Sequence, residues 1–238
     1  MGFLAKGSSL LRSYYSFLSA KRVVSFDIFD TLVERECLEP FDVFFLAAQR
    51  FYSDKDKAIG FAKARMLAEV RSKVGMPDGE TTLDRIYKFI DWDKAVIHSL
   101  MQLELSTEME VCRPKKSGVE ALKKAMASEA TIVLTTDMYL SKSFIEQILS
   151  KCGIEGYERI FLSNEYGRNK VSGGLFEVLK QTMKVTSDEI VHVGDNMKAD
   201  YLGAQKAGID SVLVCRKSFL KRLLFSKMGV ELSLRIRY

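Results

Sequence analysis

Four short apolar segments of this chain each end in polar residues, and this pattern restricts the fold more than any other feature. The segments are 23–32, 132–137, 160–164 and 190–195. In open α/β sheets, ligands bind outside the carboxyl ends of the parallel strands. We therefore expect the four polar ends to meet at one edge of a parallel sheet, and we place the active site at that edge.

The rest of the chain supports an α/β fold with an insertion. After about residue 115, strand-like segments alternate with helix-like ones, as in βαβ units. Helices are predicted there over 116–127, 141–152, 174–183 and 197–207. Between residue 40 and about residue 111 no strand pattern occurs, and helices are predicted over 41–52, 55–74, 83–90 and 92–109. The fold class is therefore a Rossmann-like parallel sheet core with a helical cap inserted after the first strand.

The chain divides into four predicted parts: a basic N-terminal segment (1–22), the α/β core (23–36 and 112–215), the cap (37–111) and a basic tail (216–238). The first part has four Lys or Arg and no acid, and the tail has seven against one Glu. Both ends also carry apolar residues at helical spacing. They are either two helices packed on the core or amphipathic ends that contact an anionic membrane surface or an acidic partner. No nucleic-acid motif accompanies them, so we expect no nucleic-acid partner.

The composition is that of a globular protein, with 47% hydrophobic and 28% charged residues. No run of 18 uncharged apolar residues is present, so no transmembrane helix is expected. Four widely spaced cysteines without a CxxC pair favour free thiols in a reducing compartment; they are Cys37, Cys112, Cys152 and Cys215. We expect a cytoplasmic protein, with peripheral contact of the basic ends at the inner membrane face as the alternative stated above.

The polar strand ends resemble the four motifs of the haloacid dehalogenase (HAD) superfamily. Asp27 lies in Ser-Phe-Asp-Ile-Phe-Asp-Thr-Leu, Thr136 in Leu-Thr-Thr-Asp-Met-Tyr, and Lys170 follows the third segment. Gly-Asp195-Asn then precedes Asp200. The resemblance extends from about residue 23 to residue 215, and the insertion is similar to the helical caps of many members. The sequence around the motifs resembles that of HAD-type proteins associated with bacterial surface-polysaccharide biosynthesis.

The chemistry of these residue types suits phosphoryl transfer. A carboxylate at a buried strand end can form a covalent intermediate, so Asp27 is the predicted nucleophile. Thr136 offers a hydroxyl to a transferring phosphoryl oxygen, and Lys170 offers a compact positive charge to the same group. The predicted substrate is a small phosphorylated metabolite, in particular a sugar phosphate or a polysaccharide precursor.

A hard cation would neutralise the phosphate as the carboxylate approaches it, and Mg²⁺ takes oxygen ligands of this kind. Asp27 and Asp195 are the predicted carboxylate ligands. The resemblance implies that the carbonyl of Phe29 is the third protein ligand. Three supporting residues are predicted around them: Asp200, which holds Lys170 or a metal-bound water; Asn196, which orients this shell; and Asp137.

Phe29 departs from the usual HAD phosphatase pattern, which has an Asp two positions after the nucleophile to protonate the leaving oxygen. Asp30 is one residue further along, and strand alternation turns it away from the site unless the backbone bends. We interpret Asp30 as a turn residue in preference to a catalytic one. Loss of a general acid typically costs 10²–10⁴-fold, which slows but does not abolish transfer from a good leaving group.

Two further functions remain open: a catalytically weak HAD domain that binds or scaffolds, and a hydrolase of a bond other than a phosphate ester. Arg35, Arg65 and Arg71 could bring cap charge to a substrate phosphate or carboxylate, although Arg65 and Glu69 could equally form a surface pair. His192 is predicted to occupy a satisfied core position within its strand.

Overall fold

The computed structural model describes residues 20–37 and 39–214. The predictions for residues 1–19, for Cys215 and for the basic tail lie outside these ranges. In chain order the strands are β1 (Val23–Phe26), β2 (Val33–Arg35), β3 (Cys112–Pro114), β4 (Thr131–Thr136), β5 (Arg159–Leu162), β6 (Ile190–Gly194) and β7 (Asp210–Leu213). Five of them form a parallel sheet in the order β5-β4-β1-β6-β7. The predicted parallel α/β fold is confirmed.

The α-helices are α1 (Pro40–Phe51), α2 (Lys55–Ser72), α3 (Leu83–Lys88), α4 (Ile97–Val111), α5 (Lys116–Met126), α6 (Lys142–Lys151), α7 (Ser163–Tyr166), α8 (Gly174–Met183) and α9 (Gly203–Lys206). Short 3₁₀ turns occupy Pro77–Gly79 and Ser187–Glu189. Residues at the N-termini explain where several helices begin. Pro40 is the first residue of α1. The side chains of Asp54 and Ser141 accept hydrogen bonds from backbone N–H groups at the starts of α2 and α6, two for Asp54 and one for Ser141.

The central strand β1 is buried along its whole length, and its side chains alternate between two cores. Val23 joins α8 and α9 in the core on one face, whereas Val24 and Phe26 join α5, α6 and the inserted helices on the other. Burial on both faces explains why the sequence shows continuous apolar runs without alternation.

The inserted helices α1 to α4 follow β2 and return to the core at β3. Strands β2 and β3 pair antiparallel and form a short two-stranded ribbon. The sequence patterns predicted neither this ribbon nor β7. The helix predicted over 92–109 begins only at Ile97, after a turn. The helix predicted over 197–207 is a π-helix (Met197–Leu202) that continues into α9.

Within the described ranges, no helix is both long and apolar enough to cross a bilayer. Cys37, Cys112 and Cys152 are buried free thiols, which confirms that prediction for the three cysteines described.

Candidate active site

Asp27 directly follows β1 at the carboxyl edge of the sheet, and both of its carboxylate oxygens accept hydrogen bonds. Lys170 Nζ donates to Oδ1 at 2.6 Å, and the Thr31 hydroxyl donates to Oδ2 at 2.9 Å. The Asp27 residue is 5% exposed, and Lys170 is 3% exposed. The strand end therefore fixes a buried carboxylate in one orientation beside a buried cation.

Lys170 links this carboxylate to Asp200, which lies in the π-helix after β6. Lys170 Nζ donates to Asp200 Oδ1 at 2.5 Å, and the backbone N–H of Asn196 donates to Asp200 Oδ2 at 2.8 Å. The backbone N–H of Lys170 in turn donates to Asp137 Oδ1 at 3.0 Å. The predicted supporting residues thus hold the lysine: Asp200 contacts its ammonium group, Asp137 contacts its backbone, and Asn196 fixes Asp200.

His192 extends the network into the sheet. Its Nε2 lies 3.1 Å from Asp200 Oδ1, and its Nδ1 lies 2.8 Å from the hydroxyl of Ser25. Ser25 also contacts the Thr135 hydroxyl at 2.8 Å. His192 is a fully buried residue with partners on both nitrogens, as predicted, but one of those partners belongs to the candidate site.

Burial and charge oppose each other in the pKa values of this cluster. Burial, assisted by Asp200 and Asp195, raises the pKa of Asp27 to about 7 against the opposing effect of Lys170. Burial also disfavours the charged form of Asp200, but Lys170 and His192 outweigh it, so the pKa of that carboxyl lies below its usual range. The carboxylates around Lys170 likewise outweigh its burial and raise its pKa. Lys170 therefore stays charged.

Three buried carboxylates meet beside this lysine. Asp27, Asp195 and Asp200 each offer an oxygen, and these oxygens all lie within 4.8 Å of one another. With Lys170 between two of them, the ionised cluster carries a formal charge of about −2, which a divalent cation would balance. Carboxylate oxygens at this spacing suit Mg²⁺. The residues fit the predicted metal, and the carbonyl of Phe29 as a ligand stays a prediction.

The cluster lies at the bottom of a cleft of about 580 Å³ between the sheet edge and the inserted helices. Thr136, at the end of β4, and Asn196 also line this cleft, so every predicted site residue borders it. The lining residues are Asp27, Phe29, Asp30, Arg35, Glu39, Pro40, Phe41, Phe44, Met66, Glu69, Val70, Lys73, Glu80, Thr81, Thr136, Asp137, Met138, Tyr139, Lys170, Val171, Asp195, Asn196, Ala199 and Asp200.

The geometry of Asp30 is that of the turn residue predicted from the sequence. Its φ of 61° puts the backbone in the left-handed region, which Asp tolerates better than most residues. Its N–H donates to Val33 at 2.7 Å, and its carbonyl accepts from Lys115 at 2.5 Å, as expected of a turn residue. The bend nevertheless leaves Asp30 in the lining of the cleft.

A cap residue also contacts the loop that carries Lys170. Asp78, in the turn Pro77–Gly79, accepts from the Ser172 hydroxyl at 2.7 Å and from the Asn169 backbone N–H at 3.2 Å. The Asn169 side chain donates to the Asp78 carbonyl at 2.7 Å, and Arg168 forms a longer ion pair with Asp78. We call these contacts the Asp78 latch. They join the cap directly to the loop that carries Lys170.

Solved structures similar to this one identify the architecture. The putative HAD-hydrolase YfnB from Bacillus subtilis, bound to magnesium, superposes with a TM-score of 0.59 at 16% identity, over 86% of this chain and 98% of that one. The L-2-haloacid dehalogenase from Xanthobacter autotrophicus gives a TM-score of 0.58 at 14% identity, over 88% and 83%. The fold is that of the HAD hydrolases.

Other comparisons agree with the HAD fold and leave the reaction open. A predicted phosphoglycolate phosphatase from Haemophilus somnus 129PT gives a TM-score of 0.56 at 14% identity, over 82% of this chain and 85% of that one. The sequence pattern of the HAD-hydrolase-like family matches residues 167–223, which include Lys170 and Asp195. No curated protein matches the sequence. Both dehalogenases and phosphatases therefore share this HAD fold.

Sequence reasoning missed several contacts of the candidate site. Thr31 donates to the predicted nucleophile, and its spacing of four residues from Asp27 was the available signal. Arg65 does pair with Glu69 at 3.3 Å, but the surface position, one of the two interpretations left open for Arg65, is wrong because Arg65 is fully buried. The Asp78 latch joins residues 91 positions apart, and no local pattern reveals it.

Proposed function

We propose that this protein is a HAD-superfamily hydrolase that uses Mg²⁺ to remove phosphate from a small phosphorylated metabolite. The observation that carries the proposal is the buried cluster of Asp27, Asp195 and Asp200 around Lys170. Cleavage of a carbon–halogen bond requires no divalent cation, and without one the cluster would keep its excess negative charge. A metal-dependent phosphoryl site makes use of all three carboxylates.

Asp27 is the nucleophile in this proposal. One of its oxygens attacks phosphorus, the ester P–O bond breaks, and the leaving oxygen departs as an alcohol after taking a proton from solvent or from a cleft acid. Water then attacks the phosphorus of the aspartyl phosphate, which releases inorganic phosphate and restores the carboxylate. Bound Mg²⁺ would neutralise charge on the phosphoryl oxygens.

The remaining residues orient Asp27 and the phosphoryl group. Thr31 holds one Asp27 oxygen, which leaves the carboxylate in a defined plane. Lys170 lies against the other oxygen, where its ammonium group can also contact a phosphoryl oxygen, and the Thr136 hydroxyl borders the same space. Asp200 and Asp137 keep Lys170 in place.

Phe29 shapes the expected substrate preference. Phenylalanine has no acidic proton to give to the leaving oxygen. This supports the proposal that the enzyme favours esters with good leaving groups, because these depend least on a general acid. The sequence around the motifs resembles that of polysaccharide-associated HAD proteins, and this resemblance supports a sugar phosphate or a polysaccharide precursor as the substrate. Glycosyl phosphates, whose leaving oxygen is on an anomeric carbon, satisfy both conditions.

Replacement of Asp27 by Asn is expected to abolish Mg²⁺-dependent phosphate release, with a loss of at least about 1,000-fold in kcat. Asn keeps the shape of the side chain but cannot form the covalent intermediate. The measurement is phosphate release from an activated aryl phosphate and a panel of sugar phosphates, with Mg²⁺ and with EDTA. Asp91→Asn, at an exposed position in the cap, is the matched control.

Three results would contradict this proposal in different ways. Equal rates for Asp27→Asn and wild type would exclude Asp27 as the nucleophile. Absence of turnover on every phosphate ester, with Mg²⁺ binding retained, would favour the binding or scaffold function. Halide release from a 2-haloacid with EDTA present would favour the dehalogenase function.

Removal of the Asp78 latch by Asp78→Ala is expected to lower kcat/KM by about tenfold, roughly the value of one charge-assisted hydrogen bond. The latch joins the cap to the loop that positions Lys170, so its loss would favour an open cleft. Urea unfolding should lose about 1–2 kcal/mol, because the Asp78 side chain is only 20% exposed and its φ of 50° is less favourable for alanine than for aspartate. If Asp91→Ala lowers kcat/KM equally, the latch has no role in turnover.

A further inference from the structure

Among the described residues, three cationic side chains line the cleft: Lys170, Lys73 and Arg35. Lys170 is held by Asp27 and Asp200. Lys73 is about half exposed and pairs with Glu69 at 2.9 Å. Arg35 differs from both because it is largely buried, with 11% of its side chain exposed, and uses only part of its guanidinium.

The guanidinium of Arg35 is fixed by two contacts. Its Nε donates to Glu108 Oε1 at 2.7 Å, and Glu108 is itself buried on α4. Its central carbon lies over the Phe29 ring, 4.6 Å from the ring centre, so the ring supports the group from one side. Neither Nη group donates a hydrogen bond to a described residue. The group is therefore oriented by the protein and still has donors for a ligand.

A guanidinium in this state is suited to an oxyanion. Its N–H groups form a planar fork that matches a carboxylate or a phosphate, and fixing the plane in advance lowers the entropy lost on binding. The other two cations of the cleft, Lys73 and Lys170, have ammonium groups that already contact carboxylates. The remaining charged lining residues are acidic and would repel an anion, among them Asp30, Glu39 and Glu80. An anion in this part of the cleft would therefore bind Arg35.

The distance from the nucleophile limits the ligand. Phe29 follows Asp27 by two residues, so their Cα atoms are at most roughly 7 Å apart. Asp27, Phe29 and Arg35 all line the same cleft, and the Arg35 guanidinium lies over the Phe29 ring. A molecule whose phosphoryl group lies at Asp27 could therefore extend within this cleft to Arg35.

We propose that Arg35 binds a second anionic group of the substrate, a carboxylate or a further phosphate, through its Nη donors. This inference rests on the proposed function, because that function assigns the reacting phosphoryl group to Asp27. It narrows the substrate to small phosphomonoesters with two anionic groups. It also gives Phe29 a role: the residue that replaces the usual acid is the ring on which the substrate-binding arginine stacks.

Two substrate pairs test the proposal and separate the two anion types. Galactose 1-phosphate and galacturonic acid 1-phosphate differ in a carboxylate, and glucose 1-phosphate and glucose 1,6-bisphosphate differ in a phosphate. We expect wild type to favour the doubly anionic member of at least one pair by about 10- to 100-fold in kcat/KM. Arg35→Gln should reduce that ratio towards one, and Arg35→Lys, which keeps the charge but not the fork, should give an intermediate ratio.

Arg50→Gln is the matched control, because Arg50 forms an exposed ion pair with Glu110 on the outer side of the cap and does not line the cleft. This variant should keep the wild-type ratio. If Arg35→Gln fails to fold, as judged by circular dichroism, Arg35→Lys provides the comparison. A wild-type ratio near one in both pairs, or an equal loss on both members of each pair in the Arg35 variants, would overturn the proposal.

A binding measurement keeps this inference separate from the proposed function. If wild type releases no phosphate from any substrate, the proposed function fails, and calorimetric titration with the same four compounds then tests Arg35 alone. Tighter binding of a doubly anionic member by wild type, lost in Arg35→Gln, would support the anion site. Equal affinities, or no binding of any of the four compounds, would overturn it.

Discussion

Glu104→Gln is expected to lower the free energy of unfolding by about 3 kcal/mol, because it leaves a charged arginine in the interior of the cap with half of its partner removed. Arg65 on α2 is fully buried, and its Nε and Nη2 donate to the two oxygens of Glu104 at 2.9 and 2.8 Å. The Tyr87 hydroxyl also donates to Glu104, at 2.7 Å. Glutamine supplies one acceptor oxygen and turns an N–H₂ group towards these donors.

Arg65 cannot avoid this cost by losing its proton. Its burial disfavours the charge, but Glu104 outweighs burial, so the pKa of Arg65 lies above even its usual high range. The guanidinium also stacks on the rings of Phe44 and Tyr139, at 4.3 and 4.8 Å. Tyr139 belongs to the loop after β4, so this ion pair also joins the cap to a loop of the candidate site.

Urea unfolding of matched variants measures the effect. Glu110→Gln is the control, because the Arg50–Glu110 pair is largely solvent-exposed and its loss should cost less than about 1 kcal/mol. The double variant Arg65→Met with Glu104→Leu should be more stable than Glu104→Gln alone, since it buries no unpaired charge. Equal losses of unfolding free energy for Glu104→Gln and Glu110→Gln would show that burial of the Arg65–Glu104 pair does not raise the cost of removing its carboxylate.

The strands that are buried on both faces could be predicted from the sequence alone. Their continuous apolar runs are distinctive, and the rule that parallel strands end at one edge correctly brought Asp27, Thr136 and Asp195 to one cleft. Strands β2 and β3 were missed because three residues cannot show an alternation pattern. The start of α4 was placed too early because the residues from Trp92 continue the apolar spacing through a turn.

Buried charge was the main source of error within the cap. Periodicity treats a basic residue as a mark of the solvent face, so a surface pair with Glu69 was one of the two interpretations left open for Arg65. Its burial depends on Glu104, which is 39 residues away on another helix. The contact between His192 and Asp200 was missed for a related reason: it joins a strand to a π-helix, and helix-spacing rules do not apply across that boundary. Such contacts become visible only with the tertiary structure.

Gly203→Ala is expected to lower kcat/KM by about 100-fold, although Gly203 contacts neither the nucleophile nor the predicted metal ligands. A Cβ atom at this position would lie 2.0 Å from the carbonyl oxygen of Lys170, a distance that no packing arrangement allows. The obstacle is backbone and cannot rotate away, so either α9 or the Lys170 loop must move. Either movement displaces the ammonium group from its positions 2.6 Å from Asp27 and 2.5 Å from Asp200.

The backbone conformation of Gly203 makes the test unambiguous. Its φ of −65° is helical, so alanine would be favoured by about 1 kcal/mol on helix propensity alone, and any loss must come from the steric contact. Gly60→Ala within α2 is the control, because its Cβ would meet only the ring of Trp92, at 3.3 Å. We expect Gly203→Ala to lose about 1–3 kcal/mol in urea unfolding as well as activity. Wild-type activity and stability in this variant would show that the close approach between α9 and the Lys170 loop does not position the lysine.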